Sequence, residues 1–92
     1  MSKYKIHTYC ISRVGQSKLV LPIGSKVLTI EGEEGRVWIH VALSNNAKLE
    51  TRLFECFNIT DELDSIKGFI GTVDIGRNYK LIYVFDRGII KV

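Results

Sequence analysis

The sequence predicts an all-β protein: a small antiparallel meander of about six or seven strands, folded into a sandwich or open barrel, with at most one short helical turn. Three observations predict it. Apolar and polar residues alternate with period two along most of the 92 residues, as in half-buried strands. Clusters of Gly, Asn and Ser break the alternation at short intervals, and helical periodicity is nearly absent.

The elements follow in order. Tyr4 to Ser12 sets Tyr4, Ile6, Thr8 and Cys10 on one face and Lys5, His7, Tyr9 and Ile11 on the other. Val14 to Gln16 reads as a turn, and Lys18 to Leu21 as a short strand that Pro22 stops or pushes to an edge. In Lys26 to Glu31, Val27 and Thr29 oppose Leu28 and Ile30, and E-G-E-E-G at Glu31 to Gly35 reads as a hairpin loop. Arg36 to Leu43 is the clearest strand: Val37, Ile39, Val41 and Leu43 form one face, and Arg36, Trp38, His40 and Ala42 the other. Ser44 to Ala47 supplies turn chemistry. Lys48 to Ile59 is a long strand, with Leu49, Thr51, Leu53, Glu55 and Phe57 opposing Arg52, Phe54 and Cys56. Thr60 to Ile66 holds one helical turn or a polar loop. Phe69 to Ile75 and Tyr79 to Asp86 are strands joined at Gly76 to Asn78, and Arg87 to Val92 is a tail able to add a short edge strand.

Length and composition imply a single domain spanning residues 1–92: 46% of residues are apolar, 25% are charged, and there is one Pro. Such a chain builds a core, yet a domain this small buries only about two-thirds of its extended surface. Several strands carry large apolar residues on both faces, so the surplus must be covered by a second sheet or by another subunit. A homo-oligomer is therefore expected. The net charge of +3 hides blocks. Residues 1–30 hold Lys3, Lys5, Arg13, Lys18 and Lys26 and no acid, residues 31–64 have a net charge of −5, and residues 65–92 a net charge of +3. These blocks can neutralise one another across strand pairs, so nucleic-acid binding is not the favoured reading despite a pI near 9.0. No apolar run suits a signal peptide or a membrane span; the reading is a soluble, cytosolic chain with no membrane partner.

Catalytic and metal chemistry find little support. His7 and Cys10 lie three apart and so face opposite sides of a strand, while His40 and Cys56 would have to join from other strands; no metal site is read. Both cysteines sit in apolar runs and read as structural, with a disulfide between them left open. The acids crowd into two segments, Glu31 to Glu34 and Asp61 to Asp64, and read as solvated loop charge. The glycines of Gly68 to Gly76 precede no helix that could bind phosphate and suit bulges or close sheet approach. No catalytic residue and no cofactor is assigned, and the chain reads as non-enzymatic.

What remains is a face of Arg36, Trp38 and His40, with Arg52 expected on the adjacent strand. Such a face could stack an aromatic ring on Trp38 while guanidinium groups hold phosphate. Equally, Trp38 could pack in a second core or at a subunit interface, where tryptophan is enriched. Arg77, Asn78, Tyr79 and Lys80 form a second candidate at a hairpin tip, with Arg77 and Tyr79 as its ligand-binding residues.

Five short runs in order, L-P-I-G-S-K-V-L (Leu21 to Leu28), R-V-W-I-H-V-A-L (Arg36 to Leu43), E-T-R-L-F (Glu50 to Phe54), F-I-G-T (Phe69 to Thr72) and L-I-Y-V-F-D (Leu81 to Asp86), resemble a family of short uncharacterised proteins encoded by bacteriophages and prophages. Cys56 to Thr60 departs from the family pattern, which has a Gly-His pair there. The resemblance implies an all-β fold, a phage origin and work in the host cytoplasm as an accessory or anti-defence factor. Such a factor acts by binding, either sequestering a small anionic nucleotide signal or inhibiting a host protein. Nucleic-acid binding through the basic N-terminal strand, and a role in the virion or its assembly, are the alternatives.

Overall fold

The computed structural model describes residues 3–76 and 81–90. They form seven strands: β1 (Tyr4–Ile11), β2 (Gly15–Pro22), β3 (Lys26–Glu33), β4 (Arg36–Ser44), β5 (Leu49–Asn58), β6 (Phe69–Asp74) and β7 (Leu81–Ile89). All pairings are antiparallel, in a three-stranded sheet ordered β1-β4-β3 and a four-stranded sheet ordered β2-β5-β7-β6. The connectivity is more interleaved than a meander. Only β3–β4 and β6–β7 pair as sequence neighbours, while β1 and β2 pair with β4 and β5 across the chain.

The core lies between the sheets. Val37, Ile39 and Val41 of β4 meet Phe54 and Cys56 of β5, Ile82 and Val84 of β7, and Leu21 of β2, all essentially without solvent contact. The apolar face read for β4 is therefore its inner one, and of the two faces of β5, both carrying apolar residues, the one with Phe54 and Cys56 turns inward. In β3 strict alternation fails. A bulge between Val27 and Thr29 inserts one residue, so Val27 and Ile30 both pack against the core while Leu28 is left exposed.

Boundaries shift for local reasons. Gly15 opens β2 rather than turning the chain, and Pro22 closes that strand. β3 continues to Glu33, so the hairpin turn shrinks to Glu34 and Gly35, both at positive φ (52° and 77°), the geometry of a tight two-residue connection. Glu31 and Glu33 are thus strand residues and not loop acids. Residues 59–68 hold only turns and bends, pinned where the Asn58 N–H donates to Asp61 Oδ2 at 2.8 Å. β7 runs through Arg87 to Ile89, so the expected separate tail strand is its continuation; the expected Tyr79 beginning of this strand and the tip at 77–80 lie outside the described residues.

The two sheets join along one side. The Gly35 N–H donates to the Ile75 carbonyl at 2.8 Å, and Gly32 lies against the Asp74 carbonyl. On the other side β1 and β2 are not paired with each other, although they are consecutive. The result is a flattened, partly open barrel measuring 44 × 27 × 16 Å.

The thiols separate. Cys56 is buried and Cys10 is exposed, and both are free. Cys10 lies in an apolar run yet is exposed, because β1 is an edge strand and its side chain lies on the outer face opposite Trp38. Burial pushes the Cys56 thiol up to about 12. With neutral thiols in both states below the unfolded value of about 9, nothing is lost there. Above it the unfolded chain ionises first, so stability falls as pH rises toward 12. Native protein at pH 8 is expected to take up one equivalent of a thiol reagent, at Cys10, and a second only after denaturation. Two fast equivalents would refute the placement of Cys56.

Candidate functional site

The outer face of the three-stranded sheet collects the sequence-read candidates. Register sets Cys10 opposite Trp38, Thr8 opposite His40 and Ile6 opposite Ala42. On the other side of β4, Glu31 stands opposite Trp38 and Thr29 opposite His40. Opposed residues in an antiparallel pair share a face, so Tyr4, Ile6, Thr8 and Cys10 form one surface with Trp38 and His40. The outer row of β4 and that of β1 were each legible. Their union needed the β1–β4 pairing, which spans most of the first half of the chain.

His40 is held from both sides. Its Nε2 donates to Glu31 Oε1 at 2.9 Å, which places the proton on that nitrogen, and Thr8 Oγ1 lies 3.4 Å from Nδ1. The chain Thr8, His40, Glu31 has the residue types of a relay, but it lies open on the outside of the sheet. Its members stabilise the surface modestly, since exposed ion pairs contribute about 0–1 kcal/mol. Beyond it along the outer row of β1 stand Ile6 (67% exposed) and Tyr4 (54%), opposite Ala42 and Ser44, while half-buried Trp38 lies on its other side, between Cys10 and Glu31.

The expected guanidinium partner is elsewhere. Arg52 belongs to the four-stranded sheet, on the inner face with Phe54 and Cys56. It donates to the Ser25 carbonyl at 2.6 Å and pairs with Asp86. Its placement beside Trp38 is therefore corrected: β2 and β7, not β4, flank β5. Arg36 stays on the expected face, exposed at the start of β4 and opposite Glu33. Arg77 and Tyr79 lie outside the described residues. A two-arginine phosphate clamp over Trp38 is not assembled among the described residues of one chain.

Charge neutralisation is also distributed differently. The described ion pairs of permanently charged groups are Arg52–Asp86 and Arg87–Glu55, beside the His40–Glu31 hydrogen bond. None involves Lys3, Lys5, Arg13, Lys18 or Lys26, so among the described residues the basic N-terminal block is in no ion pair.

A second cluster went unread. On the outer face of the four-stranded sheet, Arg87 lies 4.4 Å from the Phe85 ring centroid and 5.7 Å from that of Phe57, donates from Nε to Glu55 Oε1 at 3.0 Å, and reaches the Lys67 carbonyl. Phe57 and Phe69 pack against Phe85, which is buried. A cleft of about 250 Å³ between this cluster and the 59–68 segment is lined by Glu55, Glu62, Asp64, Lys67 and Arg87. Arg87 is satisfied by neighbours on its own sheet, which marks the cluster as a small outer core covering part of the surplus apolar surface. Among the described residues no three His, Cys, Asp or Glu side chains converge as a metal site, and no helix is long and apolar enough to cross a membrane.

No family model matches the chain, and no curated protein or solved structure matches it.

Proposed function

We propose that this chain is a non-enzymatic binding protein that engages a protein partner through the outer face of the β1-β4-β3 sheet, acting as a phage accessory factor that inhibits a host protein. The observation that carries the reading is the outer row of β1, where exposed Tyr4, Ile6 and Cys10 run beside Ser44, Ala42 and half-buried Trp38 of β4. Contiguous apolar surface rimmed by polar groups marks interaction sites, and tryptophan is enriched among the residues that dominate interfaces. The broad side of a body 44 × 27 × 16 Å has room for the roughly 800 Å² per partner of an ordinary interface. Nucleotide sequestration is disfavoured by the same geometry, because Arg52 is committed to Asp86 on the other sheet.

The test is photo-crosslinking in bacterial cells from a probe at position 40, compared with a probe at position 18 on the four-stranded sheet. Discrete adducts to another protein are expected from position 40 only, and Trp38→Ala should abolish them while leaving the thermal midpoint within a few degrees. Adducts to a second copy of the chain would make the face a subunit interface instead. Stabilisation by a nucleotide panel would restore the sequestration reading, since ligand at 100 times its Kd adds about 2.7 kcal/mol.

A further inference from the structure

We propose that the free edge of β1 takes an extended segment of a partner protein in which acidic and apolar residues alternate, added as one more strand to the β1-β4-β3 sheet. The proposal rests on the reading of this chain as a protein-binding module and specifies the chemistry of what it binds.

Four strand edges bound the two sheets, and two of them close on each other. β3 and β6 meet through the Gly35 to Ile75 hydrogen bond and the approach of Gly32 to Asp74. Of the other two, β2 ends in Pro22, which blunts an edge. β1 lacks a proline, and its one charged residue, Lys5, guards it against a basic or identical edge but not against an acidic segment. Its eight residues contain no Pro and no Gly, and its register with β4 runs without a shift from Tyr4↔Ser44 to Ile11↔Val37. A straight edge with unpaired N–H and C=O groups is a template for an added strand.

Space exists beside it. β1 and β2 are tied at one end, where the Ser12 N–H donates to Ser17 Oγ at 2.8 Å. At the other end they stand apart around a cleft of about 310 Å³ lined by Tyr4, Lys5, Pro22 and Leu43. Every residue from Tyr4 to Thr8 is exposed, including Lys5 and His7, which share the inner face with the core residue Ile11.

The chemistry of β1 selects the occupant. An added strand sets each of its residues opposite one of β1 on the same face. Alternate positions would meet Tyr4, Ile6 and Cys10 on the outer face, which suit apolar side chains. The intervening positions would meet Lys5 and His7, which suit carboxylates. The flanking charge agrees: residues 1–30 carry five cations and no acid, and none of these cations is in a described ion pair. A second copy of the chain offers no carboxylate on its own β1, so self-pairing would juxtapose two basic edges.

The probe is a synthetic peptide of alternating glutamate and valine, about seven residues long so as to span most of β1. Its controls are the same peptide with lysine for glutamate, a peptide of identical composition with the valines grouped, and a single-stranded oligonucleotide. The alternating acidic peptide should bind and slow amide exchange within residues 4–11 but not within β2. Lys5→Glu and Ile6→Lys should each weaken it by about tenfold or more, with unchanged circular dichroism and thermal midpoint showing that they fold. Equal binding of the lysine or grouped peptide, or binding without protection of β1, would overturn the proposal. So would concentration-dependent dimerisation that protects β1 without peptide, or preference for the oligonucleotide. Crosslinks from position 40 that persist when the peptide fails would reject this edge assignment alone; loss of both would reject the binding reading as well.

Discussion

Asp86→Ala should lower stability by about 3 kcal/mol, the expected result of stranding a largely buried guanidinium. Asp86 sits on β7 opposite Phe54 and pairs with Arg52, and the two side chains are 16% and 13% exposed. Its other oxygen accepts the Gly88 N–H at 3.0 Å, so the substitution also orphans a backbone donor next to the β5–β7 bulge. Arg52 would keep the Ser25 carbonyl but lose its counter-charge. A domain of this length has a total stability of about 5–14 kcal/mol, and each kcal/mol shifts the midpoint of a small domain by about 4–8 °C. A fall of roughly 12–24 °C follows by thermal denaturation. Arg52→Met combined with Asp86→Leu should recover most of it, because an apolar pair of similar volume replaces a buried ion pair at little cost. A single-variant loss below about 1 kcal/mol, the range of exposed pairs, would show that solvent already screens this one.

Gly32→Ala should open the closed side of the barrel. A Cβ at position 32 would lie 2.2 Å from the Asp74 carbonyl oxygen and 3.2 Å from Ile75 Cα, so backbone must move. Moving β6 away from β3 strains the Gly35 to Ile75 hydrogen bond and exposes Val73 and Ile75, both nearly buried. Overpacking of this kind costs about 1–3 kcal/mol, with the upper end expected where the obstacle is backbone. Gly15→Ala separates sterics from conformation: Gly15 has φ +76° but nothing within 4 Å of an added Cβ, so it should lose only the left-handed penalty of about 1–2 kcal/mol. Faster exchange of the Gly35 amide in Gly32→Ala, and not in Gly15→Ala, is the local signature. Equal Gly35 amide exchange in the two variants would mean that β3 and β6 are not held together at this point.

The candidate face shows how far local pattern reaches. Trp38 and His40 were legible as one row of β4, and Tyr4, Ile6, Thr8 and Cys10 as one row of β1, because side-chain direction follows strict period two within a strand. Arg52 was assigned to the wrong neighbour because alternation fixes which face a residue occupies and says nothing of which strand lies beside it. Glu31 was read as loop charge because the glycines of E-G-E-E-G suggested a wide turn, whereas Gly32 is needed inside β3 for the close pass of Asp74. The same limit applies to the charge blocks: Arg52 and Arg87 found partners in Asp86 and Glu55 on neighbouring strands, while among the described residues no N-terminal cation is in an ion pair.

Local sequence was enough for the all-β antiparallel class, nearly every strand and the inner face of β4. Those follow from periodicity and turn residues, which act over a few positions. The tertiary structure alone decided the β1-β4-β3 and β2-β5-β7-β6 orders, the bulge that turns both Val27 and Ile30 inward, and the open edge of β1. Strand order is set by how two twisted sheets share one core, an energy that depends on pairs of residues far apart in the chain, and no local signal records it.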